Sequence, residues 1–434
     1  MILLINKESM KKILETILAI LAKKIVKKYQ PQVVGITGSM GKTSAKEAVF
    51  AVLATKFNVR KNIKNYNNEI GVPLTIIGEE SGGKSAGAWL KIFIKAIKLI
   101  FVHDKEYPEV LVLEMGADKP GDIGYLTEII PCHVGVVTTI GPAHLEAFKT
   151  VENVAKEKQK IVSHLTSEDT AILNSDDSLT RKMHQKTKAK VIFFGYNEEA
   201  TVRAVELSSQ TENFDLSGIK FKIAFGGSTV PIFLPGVVGA HQINAALIAA
   251  AVGISFGLNL IEISEGLKNY TTPRGRMSLV EGRQTLIIDD TYNSSPKAAK
   301  AALESLAKLN AGENSRKVAI LGDMLELGDY TDEAHYELGK QVALAGVKLL
   351  VCVGNFRQET ARGALESGLL NTQIVQFKNS DEAVEKISEL IQPNDLILIK
   401  GSQGARMEKV VKALMKEPSR ASELLVRQGD EWLK

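Results

Sequence analysis

The sequence predicts an α/β protein with two domains, each built around a mostly parallel β-sheet. Two observations lead to this fold class: short apolar, β-branched runs recur along the chain, and helical patterns separate them. The rhythm is interrupted over 201–234, where alternating segments and turn glycines indicate a small antiparallel insert, and it restarts at a hinge near 272–276. We therefore expect a first domain over 31–272 and a second over 273–434. The predicted strands are 33–36, 109–114, 133–138, 170–173 and 190–194, followed by 285–289, 317–321, 349–353, 374–377 and 395–399.

Composition excludes several functional classes. The chain has 434 residues, of which 44% are apolar and 24% charged, as is typical of a soluble globular protein. Its net charge of +4 is too small to argue for nucleic-acid binding. Cys132 and Cys352 each lie in an apolar run without zinc-ligand spacing, so we expect buried thiols in a reducing compartment. No apolar stretch is long enough to span a bilayer and no signal-peptide pattern is present, so we expect a cytoplasmic protein. We also expect a monomer.

Residues 1–30 precede the first predicted strand and contain one amphipathic, basic helix. Two interpretations stay open: a helix packed on the next domain or on a partner domain, and a helix that contacts a membrane surface weakly. Its apolar positions are Ile13, Leu14, Ile17, Leu18, Leu21 and Ile25, and its basic positions are Lys11, Lys12, Lys23, Lys24, Lys27 and Lys28.

The stretch over 33–44 (VVGITGSMGKTS) predicts a phosphate-binding loop. A buried strand over 33–36 leads into two turn glycines, and a helical pattern begins at Lys42. In such a junction the backbone N–H groups and the helix N-terminus face phosphate oxygens, Lys42 adds a positive charge, and the Thr43 hydroxyl can hold Mg²⁺. The strict P-loop pattern has a glycine where this chain has Ile36, so the match is to a shorter variant. An ordinary glycine-rich turn is the alternative.

Two further segments of the first domain carry side chains suited to a metal site. Glu114 ends a buried strand, and ligands bind at the carboxyl ends of strands in open α/β sheets, so we expect Glu114 beside Thr43 at the Mg²⁺ of a nucleotide. His144 lies in a turn after the next strand and reaches the same edge, although a structural histidine fits the sequence equally well. Lys158 lies in a charged helical run whose default interpretation is solvated surface, and the sequence alone does not single it out.

Three strand ends of the second domain carry polar groups. Asp289 and Asp290 precede a polar loop, Asp323 follows the next strand, and Lys400 adds a cation at a third. Polar groups at three strand ends indicate the ligand-facing edge of a Rossmann-like α/β domain, with structural coincidence as the alternative.

Taken in order, these motifs resemble those of the Mur ligase family, the ATP-dependent amide-forming enzymes of cell-wall precursor synthesis. The resemblance runs from about Gln32 to Met407. The motifs that carry it are 65–73 (NYNNEIGVP), 114–117 (EMGA), 141–146 (GPAHLE), 289–293 (DDTYN), 321–328 (LGDMLELG) and 400–402 (KGS).

The resemblance implies a reaction between three substrates. The γ-phosphate of ATP would pass to the carboxylate of a muramyl peptide, and the amine of D-alanyl-D-alanine would attack the resulting acyl phosphate to form an amide. Two Mg²⁺ ions and several cationic side chains would neutralise the repulsion between the carboxylate and the triphosphate.

The resemblance also implies a role for individual residues. Thr43 and Glu114 would bind one Mg²⁺, while His144 and a carbamylated Lys158 would serve the second, with Lys156 and Lys160 as rival positions for the modified lysine. The implied catalytic residues are Lys42, His144, Lys158 and Arg276. The nucleotide would contact Gly38, Ser39, Met40, Gly41, Lys42, Thr43, Ser44, Asn244, Arg276 at the γ-phosphate and Asp290 at the ribose. The other substrates would contact Asn67, Asn68, Tyr292, Asn293, Asp323 and Lys400.

The sequence departs from the family pattern in two places. The family's His-Asn-x-x-Asn stretch near the adenine stands here as 241–245 (HQINA), with alanine at the second asparagine, so we expect Asn244 or Gln242 to replace it. The family also carries an N-terminal domain for the UDP-sugar end of its substrate. Because about thirty residues precede the first strand here, we expect this chain to hold a UDP group weakly or not at all.

Two alternatives to this ligase stay open. One is a Mur-like ligase with a different acceptor, such as another cell-wall polymer or a polyamino acid. The other is a non-catalytic, nucleotide-binding switch, against which the polar strand ends of the second domain argue, since a switch needs no second substrate edge.

Overall fold

A computed structural model describes residues 7–63, 66–206, 218–239, 241–309, 315–429 and 432. Asn65 of the motif at 65–73 and residues 207–217 of the predicted insert lie outside the described residues.

The described part of the chain divides into two compact units. The first comprises the residues up to 206 with Phe221–Ile232 and Ile243–Tyr270, and the second comprises 218–220, Phe233–Gln242 and the chain from Thr271 onward. The functions assigned to the ranges 31–272 and 273–434 stay predictions.

The elements up to Leu267 alternate between strands and helices, as expected. The helices are α1 (Lys7–Tyr29), α2 (Lys42–Leu53), α3 (Gly71–Ile77), α4 (Ala86–Phe101), α5 (Asp122–Ile129), α6 (Leu145–Phe148), α7 (Val151–Ser163), α8 (Ser178–Arg181), α9 (His241–Ser255) and α10 (Leu260–Leu267). The strands are β1 (Gln32–Thr37), β2 (Val59–Lys61), β3 (Val110–Glu114), β4 (Val134–Val137), β5 (Thr170–Asn174), β6 (Lys190–Gly195), β7 (Val202–Val205), β8 (Gly218–Phe225) and β9 (Ser228–Pro235).

These strands form one sheet with the order β2-β3-β1-β4-β5-β6-β7-β8-β9 in the described residues. The pairs from β2 to β7 are parallel, and β7 pairs with β8 antiparallel, where the antiparallel insert was predicted. β1 lies between β3 and β4, and all three are apolar and buried because helices cover both faces of a parallel sheet. The carboxyl ends of β1, β3 and β4 therefore meet at one edge.

Helix α1 packs against α3, α4 and α5, which confirms the interpretation of a helix packed on the neighbouring domain. Leu18, Ala22 and Ile25 are fully buried in the core of the first unit. Ile13 and Ile17, which the pattern placed with them on the apolar face, are instead 50% and 41% exposed, because their stripe of the helix faces away from the core.

The remaining elements form the second sheet and its helices. The strands are β10 (Ser278–Glu281), β11 (Leu286–Asp290), β12 (Lys317–Gly322), β13 (Leu349–Val353), β14 (Ile374–Phe377) and β15 (Leu396–Lys400). The helices are α11 (Pro296–Lys308), α12 (Thr331–Leu344), α13 (Arg357–Glu366), α14 (Ser380–Leu390), α15 (Glu408–Leu414) and α16 (Ala421–Leu424).

The second sheet has the order β10-β11-β15-β12-β13-β14 in the described residues, with β10 antiparallel and the other strands parallel. Both sheets are mostly parallel and flanked by helices, so the predicted α/β fold class is confirmed. The sequence pattern did not predict β2 and β10, which have three and four residues and are too short and too exposed to give a clear apolar run. No helix within the described ranges has both the length and the apolar character needed to cross a membrane.

Helix α10 packs closely against α2 at Gly266, where the lack of a side chain permits the contact. A first prediction follows from this contact. A Cβ at Gly266 would lie 2.8 Å from the Cα of Val52 and 3.3 Å from the carbonyl oxygen of Ala51, so Gly266→Ala must push α10 away from α2. We expect a loss of about 1–3 kcal/mol in the free energy of unfolding, measured by denaturant titration. Gly87→Ala in α4 is the control, because its Cβ would have only the Ser85 hydroxyl oxygen nearby, at 3.9 Å, and should cost nothing. Equal stabilities of the two variants would contradict the close approach.

Candidate functional site

The predicted phosphate loop joins the end of β1 to the start of α2 and needs its glycines. Gly38 has a φ of 150°, and a Cβ there would lie 1.9 Å from the hydroxyl oxygen of Thr138. Gly41 is the N-cap of α2 in the left-handed region, with a φ of 81°. A side chain at position 38 would clash with Thr138, and one at position 41 would be strained by the positive φ. The backbone therefore forms the surface of the loop, and the N-terminus of α2 is a favourable place for an anion.

The loop is held in place by the segment that follows β4. The Ser39 hydroxyl donates to the carbonyl of Gly141 at 2.9 Å, and the Thr138 hydroxyl donates to the carbonyl of Met40 at 2.5 Å. Lys42 Nζ lies 2.8 Å from the carbonyl oxygen of Gly38, so its charge lies over the loop. These hydrogen bonds tie the loop to itself and to the segment after β4.

Glu114 lies beside the loop, as the sequence predicts. The Thr43 hydroxyl donates to Glu114 Oε2 at 2.9 Å, and the side-chain amide of Asn67 donates to Oε1 at 3.1 Å. Glu114 is 5% exposed, so a carboxylate oxygen and a hydroxyl oxygen face one another at a sheltered edge. Asn68 has a different environment: its Oδ1 accepts from the backbone N–H of Gly71 at 2.9 Å at the start of α3, and a contact of Asn68 with substrate stays a prediction.

Asn62 is a residue of this site that the sequence analysis missed. Its side chain accepts from the backbone N–H of Glu114 at 2.9 Å and donates to the carbonyl of Glu114 at 3.0 Å, which aligns the strand end. The buried Lys46 of α2 donates to the carbonyl of Asn62 at 2.8 Å. No local motif announces these contacts, because Asn62 and Glu114 are brought together only by the pairing of β2 with β3.

His144 lies in the turn after β4 and has a φ of 50°. Its Nε2 is 3.6 Å from Asp118 Oδ1, and the two side chains are 45% and 82% exposed. The pair is accessible to solvent and placed on segments that follow β4 and β3. A metal-binding role for His144 stays a prediction.

Lys158 is 3% exposed, although the sequence suggested a solvated helix face. Its ammonium forms no hydrogen bond or ion pair with a residue that the structure describes. Burial, assisted by the positive charge of Lys42, lowers the pKa of Lys158 to about 7, while Glu157, Asp118 and Glu114 act in the opposite direction. With its pKa lowered to about 7, Lys158 loses its proton far more readily than an exposed lysine does.

The neighbouring Glu157 holds α7 in position. Its carboxylate accepts from the backbone N–H groups of Gly121 and Ile123 at 2.9 and 2.8 Å, at the start of α5, and from Lys160 at 2.8 Å. Burial opposes ionisation of Glu157, but these hydrogen bonds outweigh it and lower its pKa. Lys160 is thus engaged in an ion pair and Lys156 is exposed, so of the three rival lysines Lys158 is the one that is buried with no partner among the described residues.

The predicted metal ligands do not form a complete cluster of protein groups. Among the described residues, no group of three or more His, Cys, Asp and Glu side chains is arranged to hold a metal ion. Thr43 and Glu114 nevertheless supply adjacent oxygen atoms. This set suits Mg²⁺, which keeps several waters and takes one or two carboxylates together with substrate phosphates.

In the second unit, Lys400 joins two of the predicted strand ends. Its Nζ lies 2.7 Å from Asp290 Oδ2 and 2.9 Å from the carbonyl oxygen of Asn293, and its side chain is 3% exposed. The Arg276 guanidinium stacks over the Tyr292 ring at 3.9 Å from its centroid. The sequence-predicted residues Arg276, Asp290, Tyr292, Asn293 and Lys400 are therefore brought together around one loop.

The carboxylate of Asp323 is engaged by backbone groups of the second unit. Its two carboxylate oxygens accept from the backbone N–H groups of Asn355 and Phe356 at 2.8 and 3.1 Å. A Cβ at Gly354 would lie 2.4 Å from this carboxylate. Asp323 thus fixes the loop after β13, and its predicted substrate contact stays a prediction.

Two residues near the predicted adenine and ribose contacts differ in their hydrogen bonding. Asn244 in the first unit has a buried Oδ1 without a hydrogen-bond partner. Gln242 in the second unit is fully buried and donates to the carbonyl of Arg276 at 3.2 Å. Of the two candidates for the missing asparagine, Asn244 alone has an acceptor left for a ligand.

Arg427 is a second residue that the sequence analysis missed. It donates to the carbonyls of Thr291 and Tyr292 and pairs with the buried Glu408 at 3.0 Å. It anchors the polar loop after β11 from the far end of the chain, and no spacing rule relates residues so distant in sequence.

Two models of one protein family match the chain. The Mur ligase middle domain matches residues 93–253, and the glutamate ligase domain of the Mur ligases matches residues 275–403. The chain belongs to the Mur ligase family.

Curated relatives from the Mur ligases match over nearly the whole chain. The UDP-N-acetylmuramoyl-tripeptide–D-alanyl-D-alanine ligase of Bacillus subtilis (strain 168) is 28% identical over 404 residues, which is 93% of this chain and 80% of the relative. The enzyme of that name from Escherichia coli (strain K12) is 28% identical over 88% of this chain and 76% of its own length.

Solved Mur ligase structures have the same fold. MurF from Acinetobacter baumannii superposes with a TM-score of 0.76 at 26% identity and covers 93% of this chain and 80% of its own. MurF from Thermotoga maritima in complex with ADP superposes with a TM-score of 0.74 at 26% identity, covering 94% and 84%. The folylpolyglutamate synthase of Mycobacterium tuberculosis, at 18% identity and a TM-score of 0.63, shares the fold.

Asp289 is buried next to Asp290, and its pKa leads to a prediction about how the stability of the protein changes with pH. Its Oδ2 is buried without a partner, and burial raises its pKa from 3.8 to about 6, against the hydrogen bonds from Thr291. The folded state then holds this proton more tightly than the unfolded state, so this group's contribution to stability falls as pH rises from about 4 to about 6. Asp289→Asn has no titratable carboxylate at this position, so this decrease in stability with rising pH should be absent in the variant.

We expect the stability of Asp289→Asn relative to the unchanged protein to improve by up to about 3 kcal/mol between about pH 4 and about pH 7. Thermal unfolding of both proteins across this range measures the difference. A difference in stability between the two proteins that does not change with pH would contradict a raised pKa of Asp289 in the folded state.

Proposed function

We propose that this chain is an ATP-dependent ligase that joins D-alanyl-D-alanine to a UDP-N-acetylmuramoyl-tripeptide, a step of peptidoglycan precursor synthesis. The observation that carries the proposal is the pairing of Thr43 with Glu114 at the phosphate loop. It occurs in a chain whose similarity to ligases of that name extends over about nine-tenths of its length. The buried thiols of Cys132 and Cys352 support a reducing compartment, and we assign the protein to the cytoplasm, where ATP is available.

The phosphate loop would hold the triphosphate of ATP. The N-terminus of α2 supplies backbone N–H groups and a partial positive charge, and Lys42 adds a full charge over the loop. Thr43 and Glu114 would hold one Mg²⁺ by their oxygen atoms, in place of the hydrogen bond that they form with one another. The ion would neutralise charge on the phosphates as the phosphoryl group moves.

Lys158 would contribute to a second Mg²⁺ site as a carbamate. A lysine nitrogen is a poor ligand for Mg²⁺, which prefers oxygen. The neutral amine of Lys158 would form a bond to the carbon of CO₂ and release one proton, which converts the side chain into an anion with two oxygen atoms. The lowered pKa of Lys158 and the lack of a hydrogen-bond partner for it among the described residues support this modification, and His144 would complete the site.

The proposed reaction transfers the γ-phosphoryl group of ATP to the carboxylate of the peptide and releases ADP. The amine of the dipeptide then forms a bond to the acyl carbon, the bond to phosphate breaks, and the amine loses a proton. In the second unit, Lys400 and Asp290 would present the loop of Tyr292 and Asn293 to the substrates, with Arg276 as the cation for the γ-phosphate.

The deciding experiment supplies the purified protein with ATP, Mg²⁺, UDP-N-acetylmuramoyl-tripeptide and D-alanyl-D-alanine. We expect phosphate release that depends on the dipeptide, and a product whose mass equals the two substrates less one water. Ligation only with another acceptor would replace this proposal by a Mur-like ligase of different specificity. Nucleotide binding without dipeptide-dependent phosphate release would identify a switch.

Lys42→Ala tests the phosphate loop. We expect turnover to be lost because a full positive charge next to the phosphates is removed, while the unfolding midpoint changes little. Steady-state ADP production measures the effect. Lys56→Ala, an exposed lysine shortly after α2, is the control and should retain activity. Near-normal ADP production by folded Lys42→Ala would refute the role of the loop.

Lys158→Ala tests the carbamate. We expect almost no ligation, with partial recovery when acetate or formate is added, because these anions can enter the space of the lost side chain and supply oxygen ligands. Lys156→Ala, an exposed lysine two residues earlier on α7, is the matched control and should remain active. Full activity of Lys158→Ala, or an equal loss in both variants, would contradict the proposed modification.

A further inference from the structure

Helix α4 carries a stripe of exposed apolar side chains. Leu90, Ile94, Ile97 and Phe101 follow one another at spacings of three and four residues and are 60%, 56%, 50% and 81% exposed. Val102 continues the stripe beyond the end of the helix. The opposite side of α4 contributes Ile92, Ala96 and Leu99 to the core of the first unit. The helix is therefore apolar on two sides, of which the fold covers one.

Helix α1 carries a second such stripe. Met10, Ile13, Ile17 and Ile20 also follow at spacings of three and four residues and are 41–53% exposed. The two helices are neighbours in the first unit. Near their C-terminal ends they are joined by hydrogen bonds from Lys28 Nζ and the Tyr29 hydroxyl to the carbonyl of Leu99.

We refer to these two stripes with their flanking lysines as the lysine-flanked surface. Within α4, a lysine directly follows three of the four apolar residues, at Lys91, Lys95 and Lys98. The two helices together contain ten lysines and two glutamates, a net charge of +8, whereas the whole chain carries +4. The positive charge of the protein is therefore concentrated on the two helices that carry these exposed apolar stripes.

We propose that the lysine-flanked surface binds the surface of an anionic lipid bilayer. Contiguous exposed apolar side chains, rimmed by charged residues, mark interaction sites on soluble proteins. Helices that lie in a membrane interface combine an apolar face, rich in Trp, Phe and Leu, with lysines that meet anionic headgroups. Neither helix is long and apolar enough to cross the bilayer, so the contact is peripheral.

Charge decides between the bilayer and a second copy of the chain as the occupant. Lys95 is paired with Glu79 at 2.8 Å, which offsets part of the +8 of the two helices. Two copies joined through this surface would still bring two positive groups together, and the repulsion would oppose the apolar contact. An anionic bilayer would cover the exposed apolar side chains, and its headgroups would neutralise the positive charge. The binding does not depend on the proposed ligase activity, because neither α1 nor α4 contributes a residue assigned to the catalytic set.

The test is flotation of the purified full chain with vesicles. One set of vesicles contains phosphatidylcholine alone, and the other contains equal parts of phosphatidylcholine and phosphatidylglycerol. We expect binding to the anionic vesicles that weakens as salt is raised, and little binding to the neutral ones.

Two matched pairs of variants locate the surface. Ile97→Ser with Phe101→Ser should reduce partitioning about tenfold or more, while Leu344→Ser with Leu370→Ser, which removes two apolar side chains of similar exposure in the second unit, should have no effect. Lys91→Glu with Lys98→Glu should reduce partitioning by at least about twentyfold, since each lysine near an anionic surface contributes about fivefold. Lys348→Glu with Lys386→Glu carries the same change of net charge and should still bind.

The outcomes that would overturn the proposal are distinct. Equal binding to neutral and anionic vesicles, or no binding to either, would exclude recognition of anionic lipid. Equal losses in a variant pair and its control would exclude this surface. A dimer in light scattering that is lost in Ile97→Ser with Phe101→Ser, without vesicle binding, would assign the surface to a second copy. ATP turnover of the α4 variants should be unchanged in each case.

Discussion

The close approach of the Thr43 hydroxyl and the Glu114 carboxylate is the constraint around which the candidate site of the first unit is arranged. It exists because β1 and β3 are parallel neighbours that pair Ile36 with Glu114, and because α2 starts directly after the loop. Asn67 donates to the other carboxylate oxygen of Glu114, and Asn62 holds the backbone N–H and carbonyl of the same residue. The result is a sheltered pair of oxygen atoms beside a helix N-terminus, an arrangement that suits the proposed magnesium–nucleotide complex.

Buried ionisable groups are paired at some positions and unpaired at others. Lys400 pairs with Asp290 and Arg427 with Glu408, and each pair holds a loop in place. Among the described residues, Lys158 has no hydrogen-bond or ion-pair partner and Asp289 Oδ2 has no hydrogen-bond partner. Burial shifts their pKa values towards the neutral forms, to about 7 for Lys158 and about 6 for Asp289. A paired charge stabilises one geometry, whereas burial of an unpaired group favours its neutral form.

Helices α1 and α4 serve the fold and the surface at the same time. Their inner sides complete the core that supports the sheet of the phosphate loop, and their outer sides expose apolar residues among lysines. Burial of the outer stripes would contribute roughly 25 cal/mol for each Å² removed from water, so their exposure is a cost that the fold alone does not explain. A peripheral position at an anionic bilayer accounts for both the apolar residues and the charge.

The sequence by itself determined the alternation of strands and helices, the phosphate loop, and the polar strand ends at Glu114, Asp290 and Lys400, because these features are encoded by period, glycine placement and strand ends. It did not determine which long-range partners those groups find. The contacts of Asn62 and Arg427, and the engagement of Asp323 by backbone N–H groups, arise from strand pairing and chain return over tens to hundreds of residues. The exposure of Ile13 and the burial of Lys158 also ran against their local patterns. A helical period states which residues share a face, but only tertiary packing decides which face meets the core and which meets solvent.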